Sequence, residues 1–336
     1  MRMSLDPTAP VDMHVHIVGN GLAGSGCELK MSVWRRPLAS FMLQHIQLST
    51  PLESPEFDRA YVEHLLRLIR ESSLSAAVIL AHDHVHDSRG QVMKSVDSLY
   101  VPNDYVLRLA AENPEFIPAV SIHPARRDAL EELDRCLTLG ARIMKCLPNC
   151  HNIDCNDPQY RPFWTRMAEA KLPLLAHTGG EHTLPIVAPK LADPRVLRLP
   201  LECGVTVIAA HCATRSGMLD REYIDVFLQM LKEHPNLHGD TSALNLPIRS
   251  RRARQLRAPE AAARLTHGSD FPVPIFSHWA WMWGLISWRD FRRTAKIPNV
   301  LERDYQIKRA LGFGPEHFTR IHGLLRPIPA AAASAI

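Results

Sequence analysis

Short apolar runs alternate with longer amphipathic stretches along most of the chain, and this alternation constrains the fold more than any other feature. The runs are typical of β-strands because they are short, apolar and bounded by Gly, Pro, Asn or Asp. Eight of them occur, with seven helical stretches between, at residues 11–19, 76–84, 116–124, 141–148, 172–180, 205–213, 236–243 and 263–272. Strands that alternate with helices predict parallel pairing through right-handed crossovers, and eight such units predict a closed (β/α)₈ TIM barrel of the α/β class.

The intervening stretches carry helix signals. Residues 54–56 start one helix, and Asn103–Glu112 predicts another that ends at Asn113 and Pro114. Further helices are predicted at residues 130–137, after Asp157, and over residues 185–203, 218–233 and 249–257. Single barrels commonly reach the length of this 336-residue chain. We therefore expect one domain over residues 1–326 and an Ala- and Pro-rich tail over residues 327–336.

Nearly every predicted strand ends in a polar residue that can carry chemistry. His14 and His16 are separated by one valine, so in a strand they point to the same side, with Met13, Val15 and Ile17 on the other. The other strand ends carry His82 and His84, His123, Lys145, His177, His211, Asp240 and Asp270. The active site of a (β/α)₈ barrel lies at these ends. The pattern therefore predicts that the polar residues converge at one mouth and that the first two histidines form half of a metal site.

The order of these residues resembles the amidohydrolase superfamily of metal-dependent barrel enzymes. The resemblance spans His14–Asp270 and rests on His-x-His, the lysine of strand four, the histidines of strands five and six, and a distal Gly-Ser-Asp. The chain is most similar to the amidohydrolase-related branch, which holds hydrolases, lactonases and decarboxylases of the aminocarboxymuconate-semialdehyde type. The resemblance implies a divalent metal ion bound by His14, His16, His177 and Asp270. It also implies that His211 is a ligand of a second metal ion, or a catalytic or orienting residue.

The chemistry of the side chains supports a metal-dependent reaction. Imidazole and carboxylate suit Zn²⁺, and a catalytic site keeps one position open for water, whose pKa the ion lowers to about 7. Asp270 can accept the proton of that water and deliver it to a leaving group. We expect one or two divalent ions, with zinc preferred, and Asp270 as the general base. The structural alternative is that Asp270 closes a turn before Phe271 and Pro272.

Lys145 has three interpretations. In some members of the superfamily a lysine on strand four is carboxylated and bridges two metal ions, which the resemblance makes relevant here. A desolvated lysine can also clamp a substrate carboxylate, or simply neutralise a neighbouring aspartate. The sequence leaves these alternatives open, and with them the number of metal ions.

Three other clusters have weaker signals. The run of His82, Asp83, His84 and His86 can shape the pocket, bind polar substrate groups or lie in a solvated loop. The residues Cys146, Cys150, His151 and Cys155 fit neither zinc nor iron–sulfur spacing, which favours pocket lining. Five arginines between residues 249 and 257 are typical of the solvent-exposed face of a helix. Arg249 is also a candidate anchor for an anionic substrate.

A tryptophan-rich segment, residues 271–288, contains no Asp, Glu, Lys or Arg, but it is unsuited to a membrane span. Pro272, Pro274 and Gly284 interrupt it and would leave backbone groups unsatisfied in lipid. We expect a buried loop and a short helix instead. This segment is predicted to roof the pocket or to seal a subunit interface.

Composition and charge limit the classes of binding partner that we expect. The formal net charge of +4 over 336 residues is too small to create an electrostatic field that would favour nucleic-acid binding. Seven cysteines at irregular spacing indicate reduced thiols, and no secretory signal is recognised, so the expected location is the cytoplasm. We expect a small-molecule substrate, neither a nucleic-acid nor a membrane partner, and homo-oligomers as one option.

Three functions follow from the sequence. The favoured one is hydrolysis of a small lactone, ester or amide by a metal-activated water. The second is nonoxidative decarboxylation of an unsaturated or aromatic carboxylic acid by the same metal centre. The third, a non-enzymatic metal or ligand binder, is disfavoured because the full ligand order and the aspartate of strand eight are both present.

Overall fold

A computed structural model describes residues 6–327 and shows eight parallel strands in one sheet. In chain order, β1–β8 are Val11–His16, Ala76–Leu80, Phe116–Val120, Ile143–Cys146, Leu174–His177, Val207–Ala210, Leu237–Asp240 and Leu265–Thr266. Each strand pairs with the next. The predicted (β/α)₈ barrel is therefore confirmed. The predicted tail lies, apart from residue 327, outside the described residues.

The seam between the first and last strands is held by only a few backbone hydrogen bonds. Met13 N–H donates to His267 O at 3.0 Å, His16 N–H to Phe271 O at 2.8 Å, and Asp270 N–H to His14 O at 2.9 Å. These bonds bring the end of β1 next to the segment that follows β8. The two histidines of β1 and Asp270 consequently meet at the same point of the barrel mouth.

Strand β1 does not alternate regularly. Its pairing with β2 shifts register between Asp12 and Val15, which is a β-bulge or an equivalent irregularity. Met13 packs with apolar residues of the barrel interior, whereas Val15 and Ile17 pack in the cluster that includes the surrounding helices. The expectation that Met13 shares a face with Val15 and Ile17 is therefore wrong. A bulge re-aims the side chains that follow it, so His14 and His16 face the mouth above the interior layer.

The α-helices of the described chain are Arg36–His45, Phe57–Arg70, Asn103–Glu112, Ala129–Thr138, Pro148–His151, Arg161–Glu169, Arg198–Glu202, Ile224–Glu233, Ala253–Leu256, Pro259–Ala262, His278–Met282, Trp288–Thr294, Val300–Ala310, Pro315–Thr319 and Ile321–Leu324. The prediction for Asn103–Glu112 is confirmed at both ends. The helix predicted over residues 218–233 begins only at Ile224. Residues 185–203 form two 3₁₀ turns and one short helix, because Pro189 and Pro194 each start a new turn.

The arginine-rich stretch is not a uniform solvent-facing helix. It consists of the 3₁₀ turn Arg249–Arg252 followed by the short helix Ala253–Leu256. Arg249 is buried, with 3% of its surface exposed, so the prediction that it lies on a solvent-exposed helix face is wrong.

One segment between β1 and Phe57 was not predicted as structure. Residues Glu28–Lys30 pair antiparallel with Ser98–Tyr100, and the helix Arg36–His45 follows. Residues 28–52 are called the roof segment below, because several of its side chains line the top of the cavity described in the next section.

The tryptophan-rich segment matches its prediction only in part. It contains a short helix, His278–Met282, as predicted, but Trp281 and Trp288 are 39% and 53% exposed, so they are not buried. Pro272 and Val273 of the segment line the cavity, whereas none of its tryptophans does. No helix within residues 6–327 has both the length and the apolar character needed to cross a bilayer.

Candidate metal centre

Three predicted ligands lie in mutual contact at the barrel mouth. His14 Nε2 is 3.2 Å from His16 Nε2, and Asp270 Oδ1 is 3.2 Å from the former and 3.1 Å from the latter. Asp270 adopts a left-handed backbone conformation with φ of 70°, which is unusual for a residue other than glycine. Strained conformations of this kind are concentrated at functional sites, where the surrounding structure maintains them.

These three groups fit a divalent metal ion. Ligand atoms that each lie about 2.0–2.2 Å from one ion are separated from one another by roughly 3 Å, as these are. His14 Nδ1 lies 2.8 Å from Asp240 Oδ2, and because the carboxylate only accepts, the ring nitrogen donates. Burial lowers the pKa of His14 well below its ordinary value, so the ring is neutral. Its Nε2 lone pair therefore points into the site.

Asp240 organises this part of the site, a role that the sequence did not reveal. Besides His14, it accepts the backbone N–H groups of His211 at 2.8 Å and Ser242 at 3.0 Å. The side chain is fully buried at the end of β7. A carboxylate that fixes the tautomer and orientation of a ligand histidine is a common feature of metal sites. Its position at a strand end was the only signal in the sequence.

His177 and His211 form a second pair beside the first three residues. His211 Nε2 is 3.2 Å from His177 Nδ1, and the ring centroids of His14 and His211 are 5.3 Å apart. His211 also contacts Ser242 Oγ through Nδ1 at 2.8 Å and has a φ of 60°. His177 Nε2 is buried without a hydrogen-bond partner in the described chain, which suits a ligand atom. The predicted roles of both residues remain predictions.

His16 is held by a residue of the neighbouring strand end. Its Nδ1 lies 2.8 Å from His82 Nε2, so one of the two nitrogens donates to the other. His82 is fully buried and also lines the cavity. Of the histidine run after β2, this residue therefore contacts the candidate ligands directly.

Lys145 is buried against the ligands and not in the cavity wall. Its Nζ lies 3.0 Å from His14 Nε2. Burial lowers the pKa of this amine, while Asp270, Asp240 and Glu181 oppose the shift. Lys145 is not among the residues that line the cavity. This position suits the bridging or charge-neutralising interpretation better than a clamp on a substrate.

Glu181 is a site residue that sequence reasoning missed. It lies four positions after His177, and its Oε2 is 3.6 Å from His177 Nε2. Its Oε1 accepts hydrogen bonds from the Thr183 side chain and from the backbone of Thr183 and Leu184. Burial raises its pKa, but His177 and these donors outweigh burial and lower the pKa to about 2. An acidic residue directly after Gly179 and Gly180 at a strand end was the signal available.

Arg249 does not face the cavity. Its guanidinium donates to Gly180 O at 2.7 Å and lies 3.5 Å from Thr214 Oγ1. It therefore supports the loop that carries Glu181, and its predicted use as an anchor for an anionic substrate is not what the structure shows. The cysteines after β4 are buried as free thiols, and Cys146 and Cys155 have their sulfur atoms 4.0 Å apart.

A cavity of about 130 Å³ opens directly above the candidate ligands. Its floor is polar and its upper wall is apolar. The polar members are His16, His82, His177, Glu181, Thr183, His211 and Asp270. The apolar members are Val18, Leu29, Met31, Ala39, Met42, Leu43, Leu52, Leu99, Leu147, Leu184, Pro272 and Val273. Among these described lining residues there is neither arginine nor lysine.

The sequence matches a family profile described as amidohydrolase over residues 11–291. The chain belongs to the amidohydrolase family. Amidohydrolases generally bind divalent metal ions, which agrees with the contact between His14, His16 and Asp270. No protein with a curated description matches the sequence of this amidohydrolase.

The solved structures that are similar to this amidohydrolase include two with TM-scores above 0.5. An uncharacterized TIM-barrel protein, Bb4693 from Bordetella bronchiseptica, is 18% identical, with a TM-score of 0.56, over 89% of this chain and 99% of its own. IDCase from Metarhizium anisopliae is 14% identical, with a TM-score of 0.51, over 95% of this chain and 99% of its own. At these identities the similarity establishes the barrel fold of the amidohydrolase.

Proposed function

We propose that this amidohydrolase is a metal-dependent hydrolase of a small lactone, ester or amide. The observation that carries the proposal is the contact of His14 with His16 and Asp270, the latter two of which line a cavity. The family is enzymatic and includes hydrolases, which makes water attack on a carbonyl the favoured reaction class. We propose Zn²⁺ as the native ion because the donors are imidazole nitrogens and a carboxylate.

In the proposed mechanism, His14, His16 and Asp270 would hold the ion, and His177 would supply a further nitrogen. A bound divalent ion would polarise the substrate carbonyl and make water acidic enough to ionise at neutral pH. Asp270 both contacts the ligand nitrogens and lines the cavity, so its carboxylate accepts the proton of the attacking water. The same carboxylate then delivers that proton to the leaving group. Asp240 keeps His14 in the tautomer with the proton on Nδ1.

Decarboxylation is the second reaction class that the family admits. It requires a clamp on the substrate carboxylate, for which Arg249, Lys145 or the histidines after β2 would have to serve. Of these, only His82 is among the described residues that line the cavity, which include neither arginine nor lysine. Glu181 adds a negative charge to the wall instead. These two features favour hydrolysis. Turnover of a carboxylic-acid panel with carbon dioxide release, and none of any lactone, ester or amide, would reverse the assignment.

We further propose a single barrel domain over residues 1–326. All seven cysteines are free thiols, which supports a reducing compartment such as the cytoplasm. We propose a small-molecule substrate, in keeping with a cavity of about 130 Å³. Assembly into homo-oligomers is a separate proposal, to be tested by the molar mass in solution.

The test of the metal centre compares metal content and activity. Purified wild-type protein is expected to contain zinc or another divalent ion, and the double variant His14→Ala, His16→Ala is expected to lose it. His234→Ala is the matched control, because this half-exposed histidine lies after helix Ile224–Glu233, away from the cavity. Equal metal content in the double variant and the wild type would refute the ligand assignment.

The role of Asp270 is tested separately. Asp270→Asn is expected to lower kcat for the best hydrolysed substrate by about 10²-fold or more, the scale of a lost general base. Asp225→Asn, an exposed change in the first turn of helix Ile224–Glu233, is the control and should keep full activity. An Asp270→Asn protein with wild-type kcat and full metal content would exclude Asp270 as the base.

A further inference from the structure

The roof segment crosses the barrel mouth and is fixed on three sides. Its strand Glu28–Lys30 pairs with Ser98–Tyr100, which belongs to the connection after β2. Arg35 donates to Thr183 O at 3.0 Å, in the loop after β5. At the other end of the helix, the Ile275 N–H donates to His45 Nε2 at 3.0 Å, in the loop after β8. The roof therefore spans from one side of the mouth to the opposite side.

The helix Arg36–His45 presents apolar side chains to the cavity, and of these Leu43 also packs against the edge of the hydrophobic core. None of its residues is buried, although it contains Leu38, Phe41, Met42 and Leu43. Met42 and Leu43, together with Ala39, line the cavity. These three side chains are only partly buried. Apolar surface left uncovered costs about 25 cal/mol for each Å², so a ligand that covers it gains binding free energy.

The upper wall of the chamber offers no polar partner to an anionic group. Other apolar side chains complete the upper wall. Leu99 comes from strand Ser98–Tyr100, Leu147 from the loop after β4 and Val273 from the loop after β8. Glu181 and Asp270, both among the polar floor residues, are the only Asp or Glu in the described lining, which has neither Lys nor Arg. A negatively charged group placed against the apolar upper wall would lose its hydration without a partner.

We propose that the substrate is a neutral carbonyl compound with an apolar chain or ring, which occupies the chamber between the roof segment and the floor. This inference rests on the proposed function, because it places the reacting carbonyl at His14, His16 and Asp270. The apolar part then contacts Ala39, Met42 and Leu43. The roof segment thereby sets substrate preference, while the strand ends supply the chemistry.

The first experiment measures kcat/KM of the zinc-loaded protein on γ-lactones and phenyl esters whose alkyl chains increase by one methylene at a time. We expect kcat/KM to rise by up to about fourfold for each added methylene until the chamber is filled. Lactones and esters of equal length whose chains end in a carboxylate should lose this gain. Equal or better turnover of the carboxylate-tailed series would overturn the inference.

The second experiment compares two identical changes on opposite faces of the same helix. Leu43→Ala alters the chamber wall, and Leu38→Ala alters the outer face, where the residue is 38% exposed. We expect Leu43→Ala to lower kcat/KM for long-chain substrates by about tenfold relative to the shortest substrate, and Leu38→Ala to leave this ratio unchanged. Equal ratios in both variants would contradict the assignment of the wall.

A binding measurement separates failure of this inference from failure of the proposed function. 2-Alkylcyclopentanones are neutral and cannot be hydrolysed, so isothermal titration calorimetry reports on the chamber alone. Affinity that rises with the alkyl chain, without turnover of any lactone, ester or amide, would support the chamber and refute the hydrolase. Affinity that is absent, or independent of chain length, would refute the chamber whatever the reaction.

Discussion

At the scale of single residues, the centre depends on residues that are not candidate ligands themselves. Asp240 is not among its lining residues, yet it fixes the ring of His14 and the backbone of His211. His82 does the same for His16 from the neighbouring strand. Such partners decide which ring nitrogen carries the proton, and therefore which nitrogen is free to bind metal.

The first prediction at this scale concerns Asp240. Asp240→Asn is expected to weaken zinc affinity by about 10–100-fold, because the amide cannot hold His14 as the carboxylate does. Competition with a chelator measures the affinity of wild type, Asp240→Asn and the exposed control Asp225→Asn. A positioning role also predicts that kcat at saturating zinc recovers further in Asp240→Asn than in Asp270→Asn. Unchanged zinc affinity in Asp240→Asn would contradict this role.

At the scale of elements, helix Val300–Ala310 supports the segment that carries Asp270. Lys308 is fully buried and donates to Gly268 O and to Asp304 Oδ2, each at 2.5 Å. Asn245 donates to the other oxygen of Asp304. Burial raises the pKa of Asp304 to about 6, with Lys308 opposing the shift. The network joins this helix to the residues directly before the candidate base.

The second prediction follows from this network. Lys308→Met is expected to lower the free energy of unfolding by about 3–5 kcal/mol, because it leaves Asp304 buried without its cation. Lys296→Met, a change of the same kind at an exposed position, should stay within about 0.5 kcal/mol of wild type. Urea unfolding measures both. A loss below about 1 kcal/mol in Lys308→Met would show that the pair is not structurally important.

The sequence predicts the elements whose signals are local and misses those that depend on distant partners. All eight barrel strands were predictable, because apolar runs such as residues 76–80 are bounded by turn residues. The strand Glu28–Lys30 has three residues, and its partner lies some 70 positions away along the chain. The irregularity in β1 is likewise set by pairing with β2, so the face of Met13 could not be predicted.

The candidate site was also predictable only in part. The convergence of His14, His16 and Asp270 was predictable, because strand ends of a barrel meet at one mouth. The position of Glu181 in the site and the hydrogen bond from buried Arg249 to Gly180 O could not be predicted. Each depends on the conformation of the loop after β5. Spacing alone does not determine loop conformation.

At the scale of the whole molecule, the candidate ligands lie across the seam of the barrel. His14 and His16 come from β1, whereas Asp270 follows β8, and few backbone hydrogen bonds join these two regions. An ion bound there would connect the first strand to the last. Metal binding is therefore expected to stabilise the closed barrel and not only the mouth.

The third prediction tests this coupling. Zinc at a free concentration 100 times its Kd is expected to raise the free energy of unfolding by about 2.7 kcal/mol, provided that the unfolded chain does not bind it. The double variant His14→Ala, His16→Ala should show no such gain under the same conditions. Equal stabilisation of both proteins by zinc would place the binding site elsewhere in the molecule.

The roof segment has an evolutionary consequence. It is inserted between β1 and the first barrel helix, and it holds none of the candidate metal ligands. Selection can therefore exchange or lengthen residues 28–52 to suit a new compound without disturbing the catalytic apparatus. For protein engineers, the same separation makes these 25 positions a compact library in which specificity is varied while the reaction is kept constant.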